Sequence, residues 1–149
     1  MDDELVELTG EAELREAYPV MEQLRPVGEE EFLELVDTMR DESGYQLFAL
    51  RDGPDDEIRA LAGIVVQTNL YHGKHAWVQD LVVDEPYRGE GYGTTVLAWV
   101  EEWAEERDCS CFELASGLWR DEAHRFYEQV GMEKYCYTFK KDLSAPSAY

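Results

Sequence analysis

Apolar positions along the chain change period several times, and each change marks an element. Glu4 to Leu8 alternates weakly, which fits a short first strand. Leu14, Ala17, Tyr18 and Met21 then recur at helical spacing behind Thr9, a residue suited to cap the helix; Pro19 is expected to break or kink it. Phe32, Leu35, Val36 and Met39 give a cleaner amphipathic helix that should close near Ser43-Gly44. Tyr45 to Leu50 and Ile58 to Thr68 read as two strands joined by the turn residues Asp52-Gly53-Pro54-Asp55, a hairpin. After a second turn at His72-Gly73-Lys74, His75 to Val83 ends on Leu81-Val82-Val83, a run suited to a central strand.

The clearest helix lies at Gly93 to Arg107. Val96, Leu97, Val100, Trp103 and Ala104 form one face and Glu101, Glu102, Glu105 and Glu106 the other. Ser110 to Ala115 reads as a strand. Ala123, Phe126, Tyr127 and Val130 then fall at i, i+3, i+4 and i+7 before Gly131, a good helix stop, and Tyr135 to Leu143 makes a last strand. A hairpin followed by strand-helix units implies an α/β class, mixed α+β, with helices on both faces of a mixed sheet. No repeat or low-complexity block interrupts it, so residues 1–143 are expected to be one domain and 144–149 a flexible tail.

Charge narrows the function. The 149 residues hold 34 acids against 13 bases, a net charge of −21, which disfavours nucleic acid as a partner. The acids are spread along the chain, as in Glu29-Glu30-Glu31 and Glu105-Glu106, so the whole surface is charged, soluble and self-repelling. A salt-rich cytosol is the favoured source of this halophile-like composition; an acidic mesophilic protein and an acidic face for cationic substrates are the others. No apolar run is long enough to span a bilayer, and the start Met1-Asp2-Asp3-Glu4 is acidic where a secretory signal is basic, which points to the cytoplasm and away from a membrane. Cys109, Cys111 and Cys136 match neither a disulfide framework nor a metal signature, so buried free thiols and no metal are expected, with Cys109-Ser110-Cys111 in a strand.

The chemistry concentrates in Leu81-Val82-Val83-Asp84-Glu85-Pro86-Tyr87-Arg88-Gly89-Glu90-Gly91-Tyr92-Gly93-Thr94, a buried strand, a proline turn and a glycine-rich helix entrance. Glycines at 89, 91 and 93 let the backbone approach a ligand, and the first amides of a helix have no internal partners. Together with the roughly half positive charge at a helix N-terminus, they suit a diphosphate, with Arg88 as its fixed countercharge. Gly93-Thr94-Thr95 lacks the Gly-Lys-Ser/Thr ending of nucleotide hydrolases, and the glycine spacing is not that of the dinucleotide fingerprint. Alone, such a loop also suits an ordinary structural turn.

In its wider context the sequence resembles the GNAT superfamily of N-acetyltransferases. Arg88, Gly91 and Gly93 fill the family's Arg/Gln-x-x-Gly-x-Gly/Ala motif. Ala123-His124-Arg125-Phe126-Tyr127-Glu128-Gln129-Val130-Gly131-Met132 is similar to its Ala-x-x-Phe-Tyr-x-x-x-Gly-Phe segment, with Met132 replacing the aromatic. The resemblance spans roughly residues 45–143. It implies a central sheet of six to seven strands in which two central strands splay apart. Acetyl-coenzyme A, the acyl donor, would lie in the slot. Leu81, Val82 and Val83 would line the pantetheine arm, Arg88, Gly89, Glu90, Gly91, Tyr92, Gly93 and Thr94 would hold the pyrophosphate, and Arg120 and Phe126 would assist.

The implied reaction is direct attack of a primary amine on the thioester through a tetrahedral intermediate, with Tyr127 protonating the departing thiolate. A core tyrosine is the alternative. Some relatives carry a glutamate where this chain has Gln79, so the base is open among Asp80, Glu113, His75 and bulk water; Asp80 faces opposite Gln79 in a regular strand, and a bulge would re-aim it. Arg120 departs from a common asparagine. An acyl-coenzyme-A sensor without turnover and a transferase for another acyl group are the rival functions. The acceptor is a small-molecule, peptide or protein-terminal amine, and homodimers are frequent in the family.

Overall fold

The alternating runs pair in the order in which they occur. The computed structural model describes residues 4–143, with elements β1 (Leu5–Glu7), α1 (Glu11–Met21), α2 (Glu29–Ser43), β2 (Gln46–Asp52), β3 (Glu57–Asn69), β4 (Gly73–Val83), a 3-10 turn (Glu85–Tyr87), α3 (Tyr92–Glu106), β5 (Phe112–Leu114) and α4 (Asp121–Gln129). The sheet order is β1-β2-β3-β4-β5. All neighbours are antiparallel except β4 and β5, which α3 joins in parallel.

The middle of β2, Leu47 to Leu50, and of β3, Ala60 to Val66, is a continuous apolar run because both faces are covered there. Leu47 and Ala49 of β2 and Leu61 and Val65 of β3 pack with Leu14, Ala17, Phe32 and Val36 of α1 and α2. The intervening Phe48, Leu50, Ala60, Ala62 and Ile64 pack with Val96, Val100 and Trp103 of α3. Helix α3 therefore buries the face that its sequence period marks.

Four local expectations are corrected. Helix α1 begins after Gly10 instead of Thr9, and Glu13 Oε1 accepts the amides of both residues at 3.0 and 3.3 Å. Pro19 lies inside α1 without ending it, because it falls in the last turn, where the helix bonds resume with the Glu22 amide on the Tyr18 carbonyl. Cys109 and Cys111 are half-buried in the turn before β5, and Cys136 is exposed. Among the described residues the sheet has five strands instead of six or seven: Tyr135 to Leu143 alternates but finds no strand edge, and Tyr135, Tyr137, Phe139 and Leu143 stay exposed. The expected tail, 144–149, lies outside the described residues.

Candidate active site

The slot forms where β4 loses a neighbour. Among the described residues β5 pairs with β4 only opposite Ala76, Trp77 and Val78, and beyond that point Gln79 to Val83 have β3 on one side and no strand on the other. It is at this place in the sheet that the resemblance implies a splayed pair. A bulge marks its start: Gly63 pairs with Asp80 and Ile64 with Val78, leaving Gln79 as the extra residue. The extra residue reverses the alternation, so Val78 faces α3 whereas Asp80 and Val82 face α1 and α2.

Asp80 is thereby buried among polar partners. Its Oδ2 accepts the Tyr45 hydroxyl at 2.6 Å and its Oδ1 the Arg25 Nε at 2.9 Å, while Arg25 Nη2 donates to the Gln79 carbonyl at 2.7 Å. Burial, reinforced by the Asp80 charge, holds the Tyr45 phenol well above its usual range. Gly63 makes the contact feasible, since a Cβ there would lie 2.0 Å from the Tyr45 hydroxyl. Arg25 and Tyr45 carry no local signal in the sequence; the one trace is Gly63, because a glycine inside a strand often marks a bulge or close approach.

At the far end of β4 the chain turns through Glu85–Tyr87 and enters α3 through Gly89 and Gly91, at φ of 82° and 91°. Such angles suit glycine, and a Cβ at either position would touch no protein atom within 4 Å, so the space before the backbone is open. Among the described residues, no hydrogen bond engages the amides of Gly89, Glu90, Gly91, Tyr92, Gly93 or Thr94; the first helical bond runs from Thr95 to the Gly91 carbonyl. These amides fit a phosphate-bearing ligand. The Arg88 side chain braces the loop, donating from Nε to the Val83 carbonyl at 3.0 Å and from Nη2 to Gln23 Oε1 at 3.1 Å.

Helix α4 completes this end. The Phe126 ring rests on Gly93, where a Cβ would lie 3.1 Å from it. Tyr127, next to it, is half-buried; burial raises its phenol above the usual value, the Arg120 charge opposes that, and no hydrogen bond ties the hydroxyl to a described residue. Arg120 itself is the exposed residue before α4. Leu81 and Val83 pack towards α3.

The other base candidates lie elsewhere. His75 is buried at the closed end of the β4–β5 pair, five residues or roughly 16 Å of strand from Asp80. Its Nδ1 is 3.0 Å from the Gly73 carbonyl and its Nε2 3.5 Å from Glu113 Oε1, and His72 Nε2 approaches the other Glu113 oxygen at 3.4 Å. Among the described residues no group of His, Cys, Asp and Glu is arranged to hold a metal ion, and no helix is long and apolar enough to cross a membrane.

Comparison with known proteins decides the family. The model of the Acetyltransferase (GNAT) family matches residues 9–132. The chain belongs to the GNAT family. As a GNAT acetyltransferase it is 36% identical over 139 residues to the uncharacterized N-acetyltransferase YhdJ of Bacillus subtilis, covering 92% of this chain and 96% of that protein. It is also 36% identical over 102 residues to the aminoalkylphosphonate N-acetyltransferase of Salmonella typhimurium, covering 66% of this chain and 62% of that one. Among solved structures, a Trypanosoma brucei acetyltransferase superimposes with a TM-score of 0.74 at 25% identity, over 94% of this chain and 99% of the other. A Bacillus halodurans protein named a transcriptional regulator, with a TM-score of 0.77 at 21% identity, over 94% of this chain and all of the other, shares the fold. Acetyl-coenzyme A is the cosubstrate general to GNAT enzymes.

Proposed function

We propose that this enzyme transfers an acetyl group from acetyl-coenzyme A to the primary amine of a small acceptor. One observation carries the reading: the unengaged amides of Gly89 to Thr94 open α3 at the end of the strand that β5 leaves uncovered. Leu81, Val82 and Val83 border the arm that connects pyrophosphate to thioester. The amine nitrogen attacks the acyl carbon, the carbon–sulfur bond breaks, and the sulfur takes a proton from Tyr127, whose raised phenol keeps that proton at neutral pH. Asp80 receives the ammonium proton directly or through water once Arg25 yields Oδ1. Phe126 and Arg120 set the approach of α4 to the loop.

Two similarities guide the acceptor. The chain is akin to the Salmonella aminoalkylphosphonate enzyme and, at 32% identity over 77 residues, to the mouse thialysine N-epsilon-acetyltransferase. An amine panel should therefore begin with aminoalkylphosphonates and thialysine, read by release of free coenzyme A. A second reading, an acyl-coenzyme-A sensor without turnover, is favoured by the engagement of both Asp80 oxygens. The deciding experiment is calorimetry with coenzyme A on the wild type and Gly91→Val, alongside the panel. Binding lost in the variant supports the loop; equal affinities remove it, and binding without turnover on any amine favours the sensor.

A further inference from the structure

The glycine loop is short of contacts of its own, yet both its ends are tied to the β2–β3 hairpin. Arg59 of β3 lies between Tyr87, just before glycines 89 and 91 of the loop, and Tyr92, just after them. Its guanidinium carbon is 3.7 Å from the Tyr87 ring centre and 5.8 Å from that of Tyr92, and its Nη1 donates to the Tyr92 hydroxyl at 3.3 Å. The two rings meet edge to face, 6.4 Å apart. Each hydroxyl then reaches a hairpin carboxylate: Tyr87 donates to Glu57 at 3.1 Å and Tyr92 to Asp52 at 2.9 Å. The Arg59 carbonyl accepts the Asp84 amide at 2.8 Å, which pins the turn that leads into the loop. Gly53 leaves room for the guanidinium, since a Cβ there would fall 2.1 Å from its Nη2.

This clamp bears on binding in two ways. Backbone amides hold an anion well only if they already converge on it, and a loop containing two glycines loses much freedom in doing so. Fixing Tyr87 and Tyr92 relative to each other fixes the separation that Arg88 to Gly91 must span. In addition, Asp52 and Glu57 are negative groups tied to the residues that flank an anion site, and Arg59 is the cation beside them. We propose that Arg59 is a positioning residue for the acyl-coenzyme-A pyrophosphate, holding the glycine loop in its binding shape through Tyr87 and Tyr92 and offsetting the hairpin carboxylates. The inference rests on the donor site proposed above.

The test is calorimetry with coenzyme A on the wild type, Arg59→Met, Arg59→Lys and Arg51→Met. Arg51 lies on the same hairpin and pairs with Glu16 instead of the loop, so its variant controls for the lost charge. Arg59→Met should weaken binding about ten-fold, the ratio to which a cation–π contact and a hydrogen bond of ordinary size convert. Arg59→Lys should fall between it and the wild type, and Arg51→Met should stay within about two-fold. With an accepted amine, KM for acetyl-coenzyme A should rise while kcat holds, which a merely structural arginine would not produce. Should Arg59→Met not fold, Tyr92→Phe, which keeps the ring and removes both hydroxyl contacts, should weaken binding about three-fold. Wild-type affinity in the folded Arg59→Met, or in Tyr92→Phe where that replaces it, overturns the clamp, as does an equal loss in Arg51→Met. A wild type that binds no coenzyme A overturns the donor site itself.

Discussion

Helices α3 and α4 carry the same kind of apolar stripe, and the fold treats them differently. Helix α3 buries Val96, Leu97, Val100, Trp103 and Ala104 against the sheet. Helix α4 buries no residue fully, although Ala123, Phe126, Tyr127 and Val130 are aligned along it. A stripe is stabilising only over an apolar floor, and that floor stops at β5, three residues long and paired on one side. Helix α4 instead leans on the start of α3 through Phe126 and Gly93. One helix holds the fold together, then, and the other is set over the proposed reaction centre.

The strongest way to break this division is Tyr127→Phe. If α4 serves chemistry, kcat should fall by about 10²–10⁴-fold, the usual worth of general acid catalysis, while acetyl-coenzyme-A affinity and Tm change little. A stable variant with wild-type kcat would remove Tyr127 from the reaction. Next in size, Leu97→Ala on α3 should cost about 2–5 kcal/mol in denaturant unfolding, whereas Phe126→Ala on the half-covered α4 should cost roughly 1 kcal/mol. Equal losses would show that α4 carries the fold as much as α3 does.

Charge sharpens the contrast further. Lys134, Lys140 and Lys141, three of the four lysines, follow α4 and, against Glu133 and Asp142, leave residues 130–149 at +1, whereas residues 1–129 carry −22. Self-repulsion that acts over a Debye length of about 10 Å at 0.1 M salt shrinks to about 3 Å at 1 M, so Tm should rise across that range of potassium chloride. A flat or falling Tm would remove the halophile-like reading. The smallest effect sits on α1, where Arg51 of the hairpin holds the Glu16 carboxyl below its usual value, with burial opposing. A depressed folded value means stability that is present above about pH 4.3 and lost as pH falls through the folded value. Glu16→Gln should flatten that acid limb by about 0.5 kcal/mol in Tm scans, and an unchanged limb would make the pair inert.

Legibility followed the range of the interactions. The order of the elements, the hairpin, α3, the stop at Gly131 and the glycine loop were readable because each depends on residues adjacent in sequence. Asp80 was readable as a candidate, but its surroundings were not. Arg25 and Tyr45 reach it from 55 and 35 positions away, and neither carries a mark of that contact. Tyr135 to Leu143 departs from its pattern for the same reason: it has the alternation of a strand, whereas pairing requires an edge that no local pattern reveals.

The amino-acid sequence by itself determined the local geometry of the proposed donor loop. Glycines at 89 and 91 permit positive φ, and the start of α3 supplies amides whose partners lie outside the helix. Tertiary structure decided where the carboxylate of Asp80 points, because the bulge at Gln79 exists only through the register between β3 and β4. It also decided that Arg59 clamps Tyr87 and Tyr92, since only the docking of the hairpin against the loop brings charges and rings some thirty positions apart into contact. Periodicity acts through neighbours in the chain; register and docking are set by the whole fold, and they are what position the side chains around the proposed site.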